Sequence, residues 1–379
     1  MPRASLTTLP GGLAVERFLA QHWQRKALLI RAALPQFEGM FSRAQLFALA
    51  ARDDVESRLI LREGRRYALE HGPFRAAYLR RLPARNWTLL VQGTNLVDRR
   101  ADALLRRFAF LPYARLDDVM VSYAVPGGGV GPHFDSYDVF LLQGFGRRRW
   151  RYGAQRDLTL RPGLPVRILR RFTPAHDIVL SPGDMLYLPP RYAHDGVAVD
   201  ACTTYSIGFR APAHQELAEA FLDHVRDTLN VPGRYADRGL RASRHPAQLD
   251  AATVRRLAAP LARIRWRNAD VARFIGRFLS EPKPHVTFEP PARIAPRAFA
   301  ARARRAGVRL DLRTQLLYDA REVYVNGARV LPGARTRAAL QRLADARALE
   351  AAALRRAPAE LFDVLHDWYA HGYLEFDAS

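Results

Sequence analysis

The spacing of apolar residues changes along the chain and indicates differently built stretches. Up to about residue 115 the pattern is mixed, with helical spacing over residues 15–23 and 43–51 and an extended apolar run over residues 87–92. From about 116 to 210, short apolar runs alternate with turns rich in Gly and Pro. Runs of this length and spacing predict the short strands of a jelly-roll barrel.

Helical spacing returns in the second half of the chain. Between about 215 and 279 apolar residues recur at steps of four, and prolines at 282, 284, 290 and 291 then mark a linker. Beyond the linker, residues 323–330 predict a hairpin around an Asn-Gly turn, accompanied by helices over 336–344 and 359–371. This small α+β module could be winged-helix-like. A structural or dimer-supporting role is favoured over DNA binding, because its acidic end would repel phosphates.

Two histidines and one carboxylate in the strand-rich stretch have a spacing that suits a metal. His133 and Asp135 are two residues apart, and His194 follows 59 positions after Asp135. On a strand, residues two apart project from the same face, whereas a helix would separate them by roughly 200°. Two imidazoles and a carboxylate form the facial triad that holds Fe(II) and leaves other positions open. The spacing therefore predicts that both HxD residues lie on a strand.

The surroundings of the three residues support this interpretation. By itself an HxD with a distant His is a weak signal in a chain with 11 His and 37 acids. Here, however, residues 181–184 predict a tight turn that leads into the apolar strand 185–188, which delivers His194 to a strand end. Arg147, Arg148 and Arg149 lie on the strand after the HxD turn, close enough to supply a counter-ion for an anionic cosubstrate.

Composition excludes several classes of protein. A chain of 379 residues is long enough for two or three domains. A single cysteine, Cys202, excludes a disulfide framework and a Cys-based zinc site, and its place beside a β-rich run favours a buried filler over a nucleophile. No apolar run approaches the ~20 residues of a membrane helix. The first 12 residues lack the hydrophobic stretch of a signal peptide. A cytoplasmic protein without membrane contact is expected.

The formal charge of +22 suggests nucleic acid as a partner, but the sequence offers no specific motif for it. Only two of the 59 basic residues, Lys26 and Lys283, are lysines, and most of the positive excess is expected to be solvated surface. Such a surface would bind RNA without specificity at low salt. Because the chain carries no RNP motif, zinc knuckle or basic heptad, no specific nucleic-acid binding is expected.

Residues 133–150 resemble the core of the bacterial ribosomal oxygenases, which are JmjC-type hydroxylases dependent on Fe(II) and 2-oxoglutarate. Further segments that fit the family lie at residues 18–30, 57–60, 71–74, 87–92, 126–132 and 205–212. The resemblance is specific over roughly residues 14–212 and looser beyond. It implies an α+β chain with three parts: a JmjC/cupin double-stranded β-helix (jelly roll) catalytic domain over 1–212, with the metal motif in 116–210, a helical dimerisation region over 213–285, and a winged-helix-like C-terminal domain over 286–379.

The same resemblance implies the reaction and its partners. Fe(II) would be held by His133, Asp135 and His194, with 2-oxoglutarate and O2 as cosubstrates. The substrate would be an arginine of large-subunit ribosomal protein sixteen, and the enzyme a homodimer. Since a basic enzyme and a basic ribosomal protein repel one another, an acidic face is hypothesised around the site or in residues 357–379, which hold five acids and no Lys or Arg.

The resemblance also suggests residues around the metal. JmjC relatives carry a Lys or Arg 15 positions after the first His, which here is Arg148, and a guanidinium can grip the distal carboxylate of 2-oxoglutarate with two bonds. If Arg148 faces inward on its strand, Arg147 and Arg149 face outward. Further residues are nominated by their place on bordering strands or near the motif: Tyr123, Ser206 and Thr204 for the cosubstrate, and Tyr137, Asp138 and Asp195 for the target. Asp138 in particular could point away from the metal.

Two other functions stay open at this point. The first is a related ribosomal oxygenase that hydroxylates a histidine of another ribosomal protein, as eukaryotic relatives do. Those relatives tend to carry Lys where Arg148 stands, which favours arginine as the target here. The second is a non-catalytic, cupin-like binding module, which the complete set of His133, Asp135, His194 and Arg148 disfavours.

Overall fold

The chain forms a β-rich N-terminal part, a helical middle and a small mixed C-terminal part. The computed structural model describes residues 7–64 and 66–377. Eleven strands build the N-terminal part: β1 Leu28–Ile30, β2 Ser57–Glu63, β3 Arg66–His71, β4 Trp87–Val91, β5 Leu116–Ala124, β6 Val139–Gln143, β7 Arg148–Gly153, β8 His176–Leu180, β9 Met185–Leu188, β10 Ala193–Ala198 and β11 Cys202–Phe209, within those described residues. Within the same described residues, four α-helices accompany them: α1 Val15–Gln21, α2 Arg43–Leu49, α3 Ala76–Arg80 and α4 Arg99–Arg106.

The strands form two antiparallel sheets that pack face to face. The larger sheet has the order β1-β9-β6-β11-β5-β4-β2-β3, and the smaller has the order β10-β7-β8. Leu141 and Leu186 of the larger sheet share a buried cluster with Trp150 and Leu180 of the smaller one. The predicted jelly roll is confirmed. Helices cover the outer face of the larger sheet, so strands such as β4 are buried on both faces.

The main hydrophobic core lies between the larger sheet and its helices. Its largest fully buried side chains include Phe18 from α1, Trp87 from β4 and Phe140 from β6. Burying a side chain of this size stabilises the fold by about 1.5–3 kcal/mol. Along β5 the odd-numbered residues Val119 and Val121 enter this core. Because strand side chains alternate, the even-numbered residues of β5 face the space between the two sheets.

The helical middle exposes many apolar side chains. It consists of α5 His214–Thr228, α6 Ala251–Leu261 and α7 Asn268–Ser280, which confirm the predicted helices, whereas residues 229–250 form neither helix nor strand. Within these helices the buried residues are Phe274 and Ser280. Large apolar residues stay exposed on them and beside them: Leu222, Leu229, Val254, Leu257, Leu261 and Trp266. An exposed apolar surface of this extent is typical of a protein interface.

The C-terminal part has its own core and contains the predicted hairpin. Its elements are α8 Pro296–Ala306, β12 Val308–Leu310, β13 Leu316–Tyr318, β14 Val323–Val325, β15 Ala328–Val330, α9 Ala334–Ala346, β16 Ala348–Leu349, α10 Ala351–Arg355, α11 Ala359–Ala370 and β17 Leu374–Phe376. Asn326 and Gly327 form the turn between β14 and β15 with φ of 47° and 82°, as a type I′ hairpin requires. The strands pair as β16-β12-β17 and β13-β14-β15.

Polar contacts join the C-terminal part to the β-rich part. Arg99 of α4 pairs with Glu375 of β17, and the hydroxyl of Tyr113 donates to the backbone oxygen of Asp345 over 2.9 Å. In the described part of the chain, no helix combines the length and the apolar character needed to cross a lipid bilayer.

Candidate metal centre

The HxD segment is extended but is not part of a regular strand, so the prediction of a strand at this position was wrong. His133 and Asp135 lie in the connection between β5 and β6, where His133 forms a single β-bridge to His194. Pro132 has no N–H to donate to a ladder, which limits pairing here. The backbone is still extended, so both side chains approach the position of His194 as the spacing predicts.

Backbone hydrogen bonds fix the three candidate ligands to one another. The N–H of His133 donates to the oxygen of His194 over 2.9 Å, and the N–H of His194 donates to the oxygen of His133 over 2.8 Å. The backbone oxygen of Asp135 accepts from the N–H of Arg191 over 2.7 Å. One ligand atom from each of His133, Asp135 and His194 lies within 4.8 Å of the others. This convergence is what a single metal ion requires.

Each histidine ring is oriented by a backbone carbonyl. The Nδ1 of His133 lies 2.8 Å from the oxygen of Gly131, and the Nδ1 of His194 lies 2.9 Å from the oxygen of Tyr192. A carbonyl can only accept, so each Nδ1 carries the proton and each Nε2 keeps its lone pair for a metal. Gly131 has φ of 92°, and a Cβ there would lie 2.6 Å from the hydroxyl of Tyr67. Glycine is therefore needed at position 131, whose carbonyl accepts from Nδ1 of His133.

Electrostatics also favour a neutral His194. Burial and the neighbouring His133 lower the pKa of His194 to about 4, although Asp135 acts in the opposite direction. The imidazole is therefore unprotonated near neutral pH, as a metal ligand must be. Its Nε2 lies 3.6 Å from Oδ2 of Asp135. Two imidazole nitrogens and one carboxylate oxygen are a donor set that fits Fe(II).

The three residues face a cavity of about 410 Å³ between the two sheets. Its walls are largely apolar, with Ile60, Leu90 and Met120 from the larger sheet and Trp150 from the smaller. Charged and polar side chains also line it: Arg58, Gln92, Asp118, Ser122, Arg148, Arg167 and Ser206. A largely apolar cavity with a few convergent polar groups is typical of a site for a small ligand.

Arg148 enters this cavity with two unpaired donors. Arg148 is 5% exposed, and its Nη1 donates to Oγ of Ser122 over 3.1 Å. Its Nε and Nη2 are buried without a partner among the described residues. A buried cation with free N–H groups is costly unless an anion joins it. Arg147 and Arg149 point outward instead and pair with Asp200 and Asp177. The alternation argued from the sequence is therefore observed.

The other residues nominated for the cosubstrate lie in different environments. Ser206 of β11 lines the cavity. The hydroxyl of Thr204 donates to Oε1 of Gln143 over 3.2 Å, and Thr204 does not line the cavity. The ring of Tyr123 lies on the opposite face of the sheet, against the ring of Trp87 in the main core. Strand alternation explains the placement of Tyr123, because its neighbour Ser122 takes the inward position.

Of the residues nominated for the target, Tyr137 lines the cavity and the two aspartates do not. Tyr137 is 41% exposed, as a residue at the cavity mouth would be. Asp138 is fully buried outside the cavity lining, and its carboxylate accepts a hydrogen bond from the hydroxyl of Tyr187 over 2.6 Å. Burial raises the pKa of Asp138. Asp195 follows His194 on β10, faces the opposite side, and pairs with Arg151.

Three cavity residues on β5 were not anticipated from the sequence. Asp118, Met120 and Ser122 occupy every second position of the strand and all line the cavity. Apart from Asp135, Asp118 is the one acid among the lining residues of the described chain. Strand alternation predicts that every second residue of β5 shares a face. It does not tell which set faces the cavity unless the face of β5 that the helices cover is known.

A glycine keeps space open between Asp118 and Tyr137. A Cβ on Gly208 would lie 3.3 Å from Oδ1 of Asp118 and 3.9 Å from the ring of Tyr137. Gly208 itself lines the cavity. The result is a slot with a carboxylate oxygen on one side and an aromatic ring on the other. Such a slot suits a planar cation, because a guanidinium can pair with the carboxylate and stack on the ring.

Comparison with known families finds two matching regions. Residues 103–217 match the JmjC domain, and residues 263–375 match the ROXA-like winged helix. The first region contains the three candidate ligands and Arg148, and the second covers the C-terminal part with its separate core.

Individual proteins match over more of the chain. The ribosomal protein uL16 3-hydroxylase of Escherichia coli is 36% identical over 277 residues, which are 72% of this chain and 73% of that protein. A probable ribosomal oxygenase of Haemophilus influenzae is 39% identical over 54% of this chain and 51% of its own length. The crystal structure of E. coli ycfD superposes with a TM-score of 0.84 at 32% identity, covering 96% of this chain and 98% of that one. A ycfD structure in complex with cobalt and 2-oxoglutarate gives a TM-score of 0.81 at the same identity, covering 96% of this chain and 98% of that one.

Proposed function

The chain belongs to the JmjC-type ribosomal oxygenases, and we propose that it hydroxylates an arginine side chain of large-subunit ribosomal protein sixteen (uL16) with Fe(II), 2-oxoglutarate and O2. The observation that carries this proposal is the composition of one cavity. It joins a His-Asp-His cluster, the unpaired guanidinium of Arg148 and the carboxylate of Asp118. These groups match a metal, an anionic cosubstrate and a cationic target.

His133, Asp135 and His194 would hold the iron. When bound, Fe(II) and 2-oxoglutarate supply the oxidising chemistry that inserts an oxygen atom from O2 into an unactivated C–H bond. The protein contributes the orientation of the ligands, since the two imidazole tautomers are set by backbone carbonyls. A ligand set fixed in this way limits the reorganisation needed when the metal binds.

Arg148 would bind the distal carboxylate of 2-oxoglutarate. Its free Nε and Nη2 can donate to both carboxylate oxygens, while Ser122 holds Nη1 from the other side. Trp150 and the aliphatic residues of the cavity walls exclude water around this ion pair, which strengthens it. Ser206 lines the same cavity and is proposed as a further polar contact for the cosubstrate.

The slot between Asp118 and Tyr137 would receive the guanidinium of the substrate. The Asp118 carboxylate favours a cationic group, and the guanidinium of arginine remains charged at every physiological pH. A histidine side chain is largely neutral near pH 7 and would gain less from Asp118. This difference favours arginine over the second candidate function, hydroxylation of a histidine in another ribosomal protein.

Mass spectrometry of the substrate tests the proposed function. Recombinant uL16 is incubated with the enzyme, Fe(II), 2-oxoglutarate and air, and is then digested and sequenced. We expect a gain of one oxygen atom on one arginine. An oxygen atom found instead on a histidine of another ribosomal protein would support the second candidate function. No oxygen on any ribosomal protein, with no iron-dependent succinate, would overturn both and leave a binding module.

The variant Asp118→Asn should bind the substrate poorly. It keeps the shape of the side chain but removes the charge that faces the guanidinium. The loss of one charge-assisted hydrogen bond corresponds to roughly a tenfold to hundredfold increase in the KM for uL16. The KM for 2-oxoglutarate should stay unchanged, because Arg148 is untouched. An unchanged KM for uL16 would move the guanidinium site elsewhere.

We infer further that the enzyme is a homodimer that acts in the cytoplasm without specific nucleic-acid contact. The exposed apolar residues of α5 to α7 support self-association. We assign residues 1–212 to catalysis, 213–285 to dimerisation and 286–379 to a winged-helix-like domain. Sedimentation of the purified protein tests the dimer, and a monomer at micromolar concentration would contradict it.

The acids of residues 357–377 are mostly engaged within the chain. Glu360 accepts from the N–H of Gly333 and from the hydroxyl of Thr336. Glu375 and Asp377 pair with arginines elsewhere in the chain. These contacts speak against the end of the chain as an acidic docking face. Asp118, which lines the cavity, still supports the hypothesis of an acidic group around the site.

A further inference from the structure

Lys283 joins the connection between α7 and α8 to the wall of the cavity. It is one of only two lysines among the 59 basic residues of the chain. Its Nζ lies 3.0 Å from Oδ1 of Asp117 and 3.9 Å from Oδ2 of Asp118. The lysine side chain is 33% exposed and that of Asp118 is 6% exposed. A residue that precedes the C-terminal part therefore contacts a carboxylate of the candidate substrate slot.

The two oxygens of Asp118 have different surroundings. Oδ2 accepts from Nε2 of Gln92 over 2.7 Å and from the N–H of Gly93 over 3.3 Å, and it faces Lys283. Oδ1 lies on the side of Gly208, where the slot opens. Oδ2 thus accepts two hydrogen bonds and faces a cation, while Oδ1 is left for a ligand. This arrangement fixes the direction in which the free oxygen points.

The charge of Asp118 depends on its neighbours because the residue is deeply buried. Burial raises the pKa of Asp118, and the adjacent Asp117 raises it further, whereas Lys283, Gln92 and Gly93 lower it. Among these groups Lys283 is the only cation. Without it, two neighbouring carboxylates would share a poorly solvated site, and the buried one would tend to take up a proton.

We propose that Lys283 is a positioning residue for substrate binding, which holds the Asp118 carboxylate charged and oriented toward the guanidinium of the target arginine. This proposal rests on the proposed function. It means that the connection to the C-terminal part completes the substrate slot, although no residue of that connection needs to touch the metal. Lysine acts here as a compact charge that can lie beside two carboxylates at once.

Binding and turnover of three variants test the proposal. Lys283→Met removes the charge and keeps much of the apolar stem, while Lys283→Arg keeps the charge. Lys26→Met is the matched control, because Lys26 is the other lysine, is exposed, and forms no ion pair among the described residues. Affinity for fluorescently labelled uL16 is measured by anisotropy without added iron. The KM values for uL16 and for 2-oxoglutarate are measured with iron, and melting temperatures report folding.

Lys283→Met should weaken uL16 binding by about tenfold or more, as expected for loss of a charged partner in a buried network. Lys283→Arg should recover most of the affinity, and Lys26→Met should match the wild type. The KM for 2-oxoglutarate should be unchanged in all three variants, because Arg148 lies on a different strand. Equal uL16 affinity in Lys283→Met and the wild type would overturn the proposal.

A pH series separates this role from a purely structural one. If Asp118 takes up a proton in Lys283→Met, raising the pH from about 6 to about 9 should restore uL16 binding in that variant more than in the wild type. The charged and titratable groups around Asp118 are Lys283, Asp117, Arg58, Tyr137, Arg210, Glu281 and Arg313. A pH-independent loss of affinity with a lowered melting temperature would indicate only an anchor for the connection, and would also overturn the proposal. Failure of the wild type to hydroxylate uL16 is a separate result, which would reject the proposed function itself.

Discussion

His133→Ala should abolish hydroxylation of uL16 and lower the affinity for Fe(II) by more than about a hundredfold. Changes to residues that merely orient metal ligands already cost 10–100-fold in affinity, so loss of a ligand should cost more. The substitution also leaves Nε2 of His194 and the Asp135 carboxylate as the two remaining donors. These two donors lie 3.6 Å apart and would hold the metal by two protein ligands in place of three.

Iron affinity is measured by titration of the purified protein, and hydroxylation by the mass of uL16. The backbone bridge between residues 133 and 194 does not depend on the imidazole, so the fold should persist and the melting temperature should change little. His245→Ala is a suitable control, because His245 is an exposed histidine between α5 and α6. Normal iron affinity in His133→Ala would mean that the metal lies elsewhere.

Arg148→Ala should raise the KM for 2-oxoglutarate by about a hundredfold while iron binding stays intact. The variant removes both unpaired donors and leaves the distal carboxylate of the cosubstrate in a low-dielectric cavity without a cation. Hydrogen bonds to charged groups contribute about 1.5–3 kcal/mol each, so the loss of two bonds at the lower end of this range accounts for a change of this size. Arg148→Lys should give an intermediate KM, because a single point charge replaces a two-pronged donor.

The neighbouring arginine provides the matched control for this experiment. Arg147→Ala removes the same side chain one position earlier, where it points to solvent and pairs with Asp200. Its KM for 2-oxoglutarate should equal that of the wild type. The measurement is succinate formation over a range of 2-oxoglutarate concentrations. If Arg147→Ala and Arg148→Ala raise the KM equally, the effect would be one of general surface charge and not of a binding site.

Sequence reasoning worked best where a local rule specifies the geometry. The Asn-Gly hairpin was predicted correctly because few dipeptides tolerate two positive φ angles in succession. Arg148 was chosen from the resemblance to JmjC relatives, and strand alternation then predicted correctly that Arg147 and Arg149 point outward. The convergence of His133, Asp135 and His194 followed from residue types and spacing, although Pro132 left the segment with only a single bridge.

Sequence reasoning failed where the answer depends on which face of a strand is covered. Tyr123 was nominated because it lies on a strand beside the metal, but α2 and its neighbours cover that face, and the ring is buried against Phe47 and Trp87. The inward residues are those one position away, including Ser122. Asp138 and Asp195 are acids beside the motif whose partners, Tyr187 and Arg151, come from distant positions. No local pattern identifies such partners.

The reciprocal backbone bridge between His133 and His194 bears on which metal the protein acquires in a cell. Backbone hydrogen bonds hold the ligands in place and fix the tautomers of both imidazoles. The site is therefore preorganised, and any divalent ion of suitable size can enter it. The stability of complexes with such ligands rises from Mn²⁺ through Fe²⁺ and Co²⁺ to Cu²⁺, and Zn²⁺ also binds more tightly than Fe²⁺. We therefore expect the ion that occupies the site to depend on the relative supply of free divalent metals as well as on the ligands.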